Sequence, residues 1–227
     1  MENIRNAACV LFDLDGTIHD PAHGILRCFD IGLKAVGAPP LDEKTARENI
    51  IGPPLAWSYT TLCGLDDETS DRAIEAYRAE YFTVGYKESV VYDGMTECLR
   101  ALKSAGIKTG MATSKPEECA KDIARYHGFD KYLDVICGAK LTDKKSTKTQ
   151  LILRAISELG ITADGNVYMV GDKKYDIAGA RAAGVTGIGV LYGFGSREEL
   201  EEAGADMILG SPYEITEFFT GKGRRSE

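Results

Sequence analysis

The chain has 227 residues, 44% hydrophobic and 27% charged, which suits one domain with an inserted lobe or two modest domains. Its formal charge of −8, from 27 basic and 35 acidic residues, argues against a nucleic-acid partner, which would need a basic face. The opening apolar run is too short for a signal peptide and no stretch has bilayer-spanning length, so the expectation is a soluble, cytoplasmic protein without a membrane partner.

The first predicted element is a buried strand at residues 8–12 (ACVLF). From 20 to 88 the patterns are helical, with helices predicted at 23–36 and 67–84 and punctuation at Pro39-Pro40 and Pro53-Pro54. Ile74, Tyr77 and Tyr81 share one face of the second of these helices. The chain re-enters a sheet near Tyr92-Asp93-Gly94. A helix at 94–105 follows, with Met95, Cys98, Leu99 and Leu102 at helical spacing and Gly106 as its stop. Strands are predicted at 108–112, 134–138, 167–171, 186–191 and 206–210, with helices at 147–159 and 174–183 between them. Ser196 and Glu199 form a capping-box signature for a last helix, and residues 221–227 read as a frayed tail. Near-continuous apolar strands alternating with helices predict an α/β fold: a Rossmann-like, doubly wound parallel sheet with an inserted all-α lobe. The expected division is a sheet domain of residues 1–19 and 89–227 and a helical domain of residues 20–88. The six cysteines (Cys9, Cys28, Cys63, Cys98, Cys119, Cys137) form no C-x-x-C pair and read as small buried hydrophobes.

The chemistry gathers at strand ends. The first strand runs into Asp13-Leu14-Asp15-Gly16-Thr17, and two carboxylates at the end of a buried strand are costly unless something uses them. Gly16 lets the chain leave the strand sharply. A second acidic pair, Asp172 and Asp176, follows the strand at 167–171 and sits one helical turn apart. Four converging carboxyl groups repel unless a cation lies among them, and oxygen-only ligands favour Mg²⁺ or Ca²⁺ over zinc. Thr113, Ser114 and Lys115 follow one strand; Lys144, Lys145 and Lys148 follow another, with Lys148 opening a helix. Carboxylates, a cation, hydroxyls, ammonium groups and helix N–H donors together suit phosphoryl transfer.

These motifs resemble the haloacid dehalogenase superfamily over nearly the whole chain. Residues 13–17 (DLDGT) are similar to its first motif, Thr113 to the second, Lys148 to the third and residues 171–176 (GDKKYD) to the fourth. The helical insertion between the first two motifs and the stretch Leu191–Ser196 resemble the phosphoglycolate-phosphatase-like subfamily. The resemblance implies a Mg²⁺-dependent phosphatase acting on a small phosphorylated metabolite, phosphoglycolate-like or a nucleoside monophosphate. It implies Asp13 as nucleophile, forming an aspartyl-phosphate, and Asp15 as acid and then base. Thr113 and Lys148 would stabilise the phosphoryl group, with Gly16 and Ser114 beside it. The implied metal ligands are Asp13, the Asp15 backbone carbonyl, Asp172 and Asp176, and the helical insertion would serve as a cap closing over the substrate. Two positions depart from the family pattern: Ser114 stands where many relatives carry Asn, and the segment around Lys148 lacks the usual proline, so Lys145 is the alternative third-motif lysine.

Two other functions use the same parts. A sugar-phosphate mutase of the β-phosphoglucomutase type would return the phosphoryl group to a second hydroxyl. A signalling receiver domain would keep it, but receivers are much shorter and lack an inserted lobe. Some of these residues also have plain structural readings. Asp176 is readable as an exposed helix carboxylate, Lys115 and Lys145 as solvated lysines, and Thr113 as a helix cap. His19, His23 and His127 have no identifiable partners; His19 reads as an ordinary surface histidine, with the lining of the cap entrance as its alternative, and Trp57 and Tyr59 read as core packing, with contact between their loop and the substrate as the alternative.

Overall fold

The computed structural model describes residues 7–140 and 146–221. In chain order the strands are β1 (Cys9–Phe12), the two-residue β2 (His19–Asp20) and β3 (Val90–Val91), β4 (Lys108–Pro116), β5 (Val135–Ala139), β6 (Val167–Gly171), β7 (Thr186–Val190) and β8 (Met207–Leu209). The α-helices are α1 (Ala22–Ala35), α2 (Glu43–Asn49), the single-turn α3 (Leu55–Trp57), α4 (Asp67–Tyr81), α5 (Met95–Ser104), α6 (Glu117–His127), α7 (Lys148–Glu158), α8 (Lys174–Ala183), α9 (Arg197–Glu202) and α10 (Pro212–Thr220). Two compact units result: residues 1–19 with 91–227, and residues 20–90. Among the described residues no helix is long and apolar enough to cross a membrane.

In the larger unit six parallel strands run in the order β5–β4–β1–β6–β7–β8. From β1 the chain winds outward through β4 and β5, then returns to β6 and winds the other way through β7 and β8. The connections leaving β1 and β6 therefore part in opposite directions, which opens a crevice beyond the carboxyl ends of these two strands. All four β1 residues are fully buried, as a strand covered on both faces must be. Cys9 and Leu11 pack with Ile152, Ala155 and Ile156 of α7 and Ala180 of α8. On the opposite face of β6, the Tyr168 ring meets Phe218 and Phe219 of α10, which packs with α5.

The smaller unit holds α1 to α4. Ile25, Cys28, Phe29 and Leu33 form the buried stripe of α1, at helical spacing. The Phe29 ring stacks on Tyr59 at 4.2 Å, and the Tyr59 hydroxyl donates to the Phe29 carbonyl at 3.1 Å. Tyr59 sits in a π-helical turn, Ser58–Leu62, that extends α3. Trp57 departs from the core-packing expectation and is 44% exposed. Residues two apart on a helix do not share a face, so seating Tyr59 inward turns Trp57 outward.

Other differences from the sequence reading are local. α4 stops at Tyr81 rather than at 84, where the Thr83 hydroxyl bonds to the Ala79 and Glu80 carbonyls. β4 runs on to Pro116, so Thr113–Pro116 belong to the strand rather than following it. α9, capped by Ser196 as expected, is not the last helix: Ser211 and Pro212 start α10 after β8. α6 was not anticipated, because its apolar residues Cys119, Ala120, Ile123 and Ala124 are small and the segment is otherwise charged. Five of the six cysteines are buried and Cys63 is half-buried. The C-terminal tail from 222 onward lies outside the described residues.

Ile152 is fully buried between α7 and the sheet. Ile152→Ala should cost about 2–5 kcal/mol, from lost transfer energy plus the cavity. A urea denaturation midpoint equal to the parent's would contradict this packing.

Candidate active site

The sheet brings two of the acidic motifs to the β1–β6 crevice. Asp13 follows β1 directly, and its backbone N–H donates to the Val170 carbonyl of β6 at 2.9 Å. Asp172 follows β6, and Asp176 lies in the first turn of α8. Asp13, Asp172 and Asp176 each offer a carboxylate oxygen within 4.8 Å of the others. Asp172 and Asp176 are both 1% exposed, so Asp176 is no exposed helix carboxylate.

Lys148 stands at the first position of α7, after the Thr147–Gln150 capping box. Its Nζ lies 2.9 Å from Asp13 Oδ1 and 2.8 Å from Asp176 Oδ1, and donates to the Ala112 carbonyl at 3.0 Å. Burial would lower its pKa, but the charges of Asp13 and Asp176 outweigh that and hold it above the usual lysine range. Lys144 and Lys145, the latter the alternative lysine, lie outside the described residues.

Three carboxylates against one ammonium leave a formal −2 in a buried site. The pKa of Asp172 is raised by burial and then by the neighbouring Asp176 charge. That of Asp176 is raised by burial, against the pull of Lys148. Such a set, all oxygen and doubly negative, fits a hard divalent cation. The carboxyl of Asp15 is not part of it.

Asp172 is fixed from two sides. The Phe194 N–H donates to its Oδ2 at 2.8 Å and the Thr17 hydroxyl to its Oδ1 at 3.3 Å. The loop carrying Phe194 is tied back by the Tyr192 hydroxyl, which donates to the Thr17 carbonyl at 3.1 Å. Gly16 makes the approach possible: its φ is +79°, and a Cβ there would lie 2.1 Å from Asp172 Oδ2. Its place is thus against the metal-ligand candidate Asp172.

Asp15 has partners that the sequence reading did not assign. His19 Nε2 lies 2.7 Å from Asp15 Oδ1, and Lys115 Nζ lies 2.8 Å from Asp15 Oδ2. Both partners are buried, the His19 ring fully and the Lys115 side chain to 7% exposure. This corrects the readings of His19 as a surface histidine and Lys115 as a solvated lysine. Burial would raise the Asp15 pKa, but Lys115 and His19 outweigh it and hold the carboxyl well below the usual range. The available signal was spacing: His19 lies four residues beyond Asp15, and Lys115 two beyond Thr113. His127 is also partnered, its ring edge-on to His19 at 6.2 Å and stacked with Phe129. Thr113 is 2% exposed and its hydroxyl accepts from the Lys115 N–H at 3.2 Å, whereas Ser114 is exposed.

The chain matches the haloacid dehalogenase-like hydrolase family over residues 10–190. It is 39% identical over 193 residues to a 5′-nucleotidase of Pseudomonas aeruginosa, covering 84% of this chain and 86% of that one. It is 31% identical over 210 residues to a phosphoglycolate phosphatase of Vibrio vulnificus, covering 89% and 91%. The solved structure of protein tyrosine kinase A from Mycobacterium tuberculosis superposes with a TM-score of 0.77 at 32% identity, covering 91% of this chain and 94% of that one. With DLDGT and GDKKYD at adjoining strand ends and this match across most of its length, the chain belongs to the haloacid dehalogenase-like hydrolases.

Proposed function

We propose that this phosphatase hydrolyses a small phosphomonoester, phosphoglycolate-like or a nucleoside monophosphate, by way of an aspartyl-phosphate on Asp13. The observation that carries the reading is the cluster of Asp13, Asp172 and Asp176 around Lys148 at the β1–β6 crevice. In the first half-reaction an Asp13 oxygen bonds to phosphorus as the ester P–O bond breaks, and the departing oxygen takes a proton that Asp15, ionised at rest, relays from solvent. In the second, Asp15 takes a proton from water as the water oxygen bonds to phosphorus. The Asp13–phosphorus bond then breaks, releasing inorganic phosphate and restoring the Asp13 carboxylate. Lys148 keeps Asp13 oriented and offsets charge on the phosphoryl oxygens, and the buried Thr113 hydroxyl donates to one of them.

Asp13, Asp172 and Asp176 would hold a magnesium ion, with the Asp15 backbone carbonyl as a further ligand. When bound, Mg²⁺ supplies Lewis-acid stabilisation of phosphoryl charge and relieves repulsion between Asp13 and the substrate. In this reading residues 20–90 act as a cap that selects the substrate, with Gly16 and Ser114 beside the phosphoryl group.

The direct test is phosphate release from phosphoglycolate, nucleoside monophosphates, sugar phosphates, phosphotyrosine and an aryl phosphate, each with Mg²⁺ and with EDTA. Release should depend on Mg²⁺ and fall at least about 10³-fold in Asp13→Asn, which removes the nucleophile. Turnover surviving in that variant would overturn the mechanism. Isomerisation of β-glucose 1-phosphate without phosphate release would favour the mutase instead.

The metal reading has its own pH signature. Asp172 and Asp176 have raised pKa values in the folded chain, so the folded state binds more protons than the unfolded one. Without metal, their contribution to stability therefore falls as pH rises above the ordinary carboxylate range. Mg²⁺ requires both carboxylates ionised, so the Tm increase it causes should be larger at about pH 8 than at about pH 6. Equal increases at both pH values would remove this pair from the metal site.

A further inference from the structure

Each of the two acids in DLDGT has its own lysine. Asp13 pairs with Lys148, while Asp15 is turned away from the metal-ligand cluster and pairs with Lys115 and His19. The donors reach Asp15 from two elements, Lys115 from the end of β4 and His19 from the start of β2. Each takes a different carboxylate oxygen, so together they fix both the position and the tilt of the group. Two N–H donors on two oxygens describe a carboxylate that accepts, and each oxygen keeps a further lone pair. His19 is fully buried, and its Nδ1 has no hydrogen-bond partner among the described residues. Burying an imidazole costs free energy unless its polar atoms are used, and the hydrogen bond of this ring is the one to Asp15.

We infer that His19 and Lys115 are positioning residues for the second half-reaction, holding Asp15 as the base that deprotonates water attacking the phosphorylated Asp13. This rests on the aspartyl-phosphate mechanism above and adds a division of labour. Lys148 serves the nucleophile, and the His19–Lys115 clamp serves the base. With an ester whose leaving group needs no proton, the clamp matters only after that group has gone, so its loss should then be visible in one half-reaction only.

The kinetics of an aryl phosphate separate the halves. Its leaving group departs without needing a proton, so kcat/KM reports Asp13 phosphorylation and leaves out the hydrolysis of the phospho-enzyme. In His19→Ala the rate at which label leaves the phospho-enzyme, followed by acid quench and chase, should fall about 30-fold. kcat/KM for the aryl ester should change by less than about threefold, and phosphorylated enzyme should accumulate at steady state. His19→Gln, which keeps a donor near the place of Nε2, should recover most of the lost rate. Lys115→Gln should give the same split from the other oxygen, which keeps the test intact where His19→Ala does not fold. The inference is overturned if kcat/KM and dephosphorylation fall together in both positions' variants, if dephosphorylation is unaffected in them, or if His19→Gln behaves as His19→Ala does. Parent enzyme without Asp13-dependent phosphate release would instead overturn the mechanism on which the inference stands.

Discussion

The buried ammonium of Lys148 is the charge on which the acidic edge depends. Asp13 follows β1 and Asp176 lies in the first turn of α8, and the two would repel each other across the crevice, but both point an oxygen at the same Nζ within 2.9 Å. Removing one partner of a buried ion pair typically costs about 3–5 kcal/mol, because the other charge is left uncompensated. The scaffold accordingly fixes Lys148 with care. Thr147 caps α7, so the lysine begins the helix, and the Ala112 carbonyl at the heart of β4 takes one of its hydrogens. Gly179 of α8 leaves room for its stem, since a Cβ there would lie 2.7 Å from Lys148 Cγ. The packing of α7 against α8 is thus part of the site.

Much of the scaffold was legible because its signals are local. The central strand, the helices at 94–105 and 174–183 and the capped start at Ser196 all rest on periodicity or on a cap, and each lies within about two residues of where it was read. The carboxylates were legible for a related reason. Polar residues that end an apolar strand conflict with burial, and such conflicts collect at functional edges. Elements such as α6, whose buried face is made of Ala and Cys, give a hydrophobic pattern too faint to read.

The partners of Asp15 were hidden for a different reason. A lysine near a strand end and a histidine after a turn are ordinary surface residues by type, and only the folded chain shows that both side chains are buried and aimed at one carboxyl. The extension of β4 through Lys115 carries that lysine along the sheet toward the β1 end, where a loop would have left it in solvent. The role of the 191–195 segment was equally unreadable, because it acts through a backbone N–H that any residue but proline supplies.

The charge balance links metal and substrate. The whole chain carries −8, and the crevice itself carries a formal −2 after Lys148 is counted. A phosphomonoester is close to a dianion near neutral pH, so it meets repulsion on the way in and at the nucleophile. Lys115 offers no relief, because its charge is already committed to Asp15. On the proposed reading a divalent cation cancels the local excess, which leaves Lys148 to offset phosphoryl charge beside it. Binding of the anion and of the cation are then coupled, each improving the other's affinity by the same factor. On that reading a phosphatase with a net charge of −8 would depend on the coupling, since bulk electrostatics will not draw its substrate in.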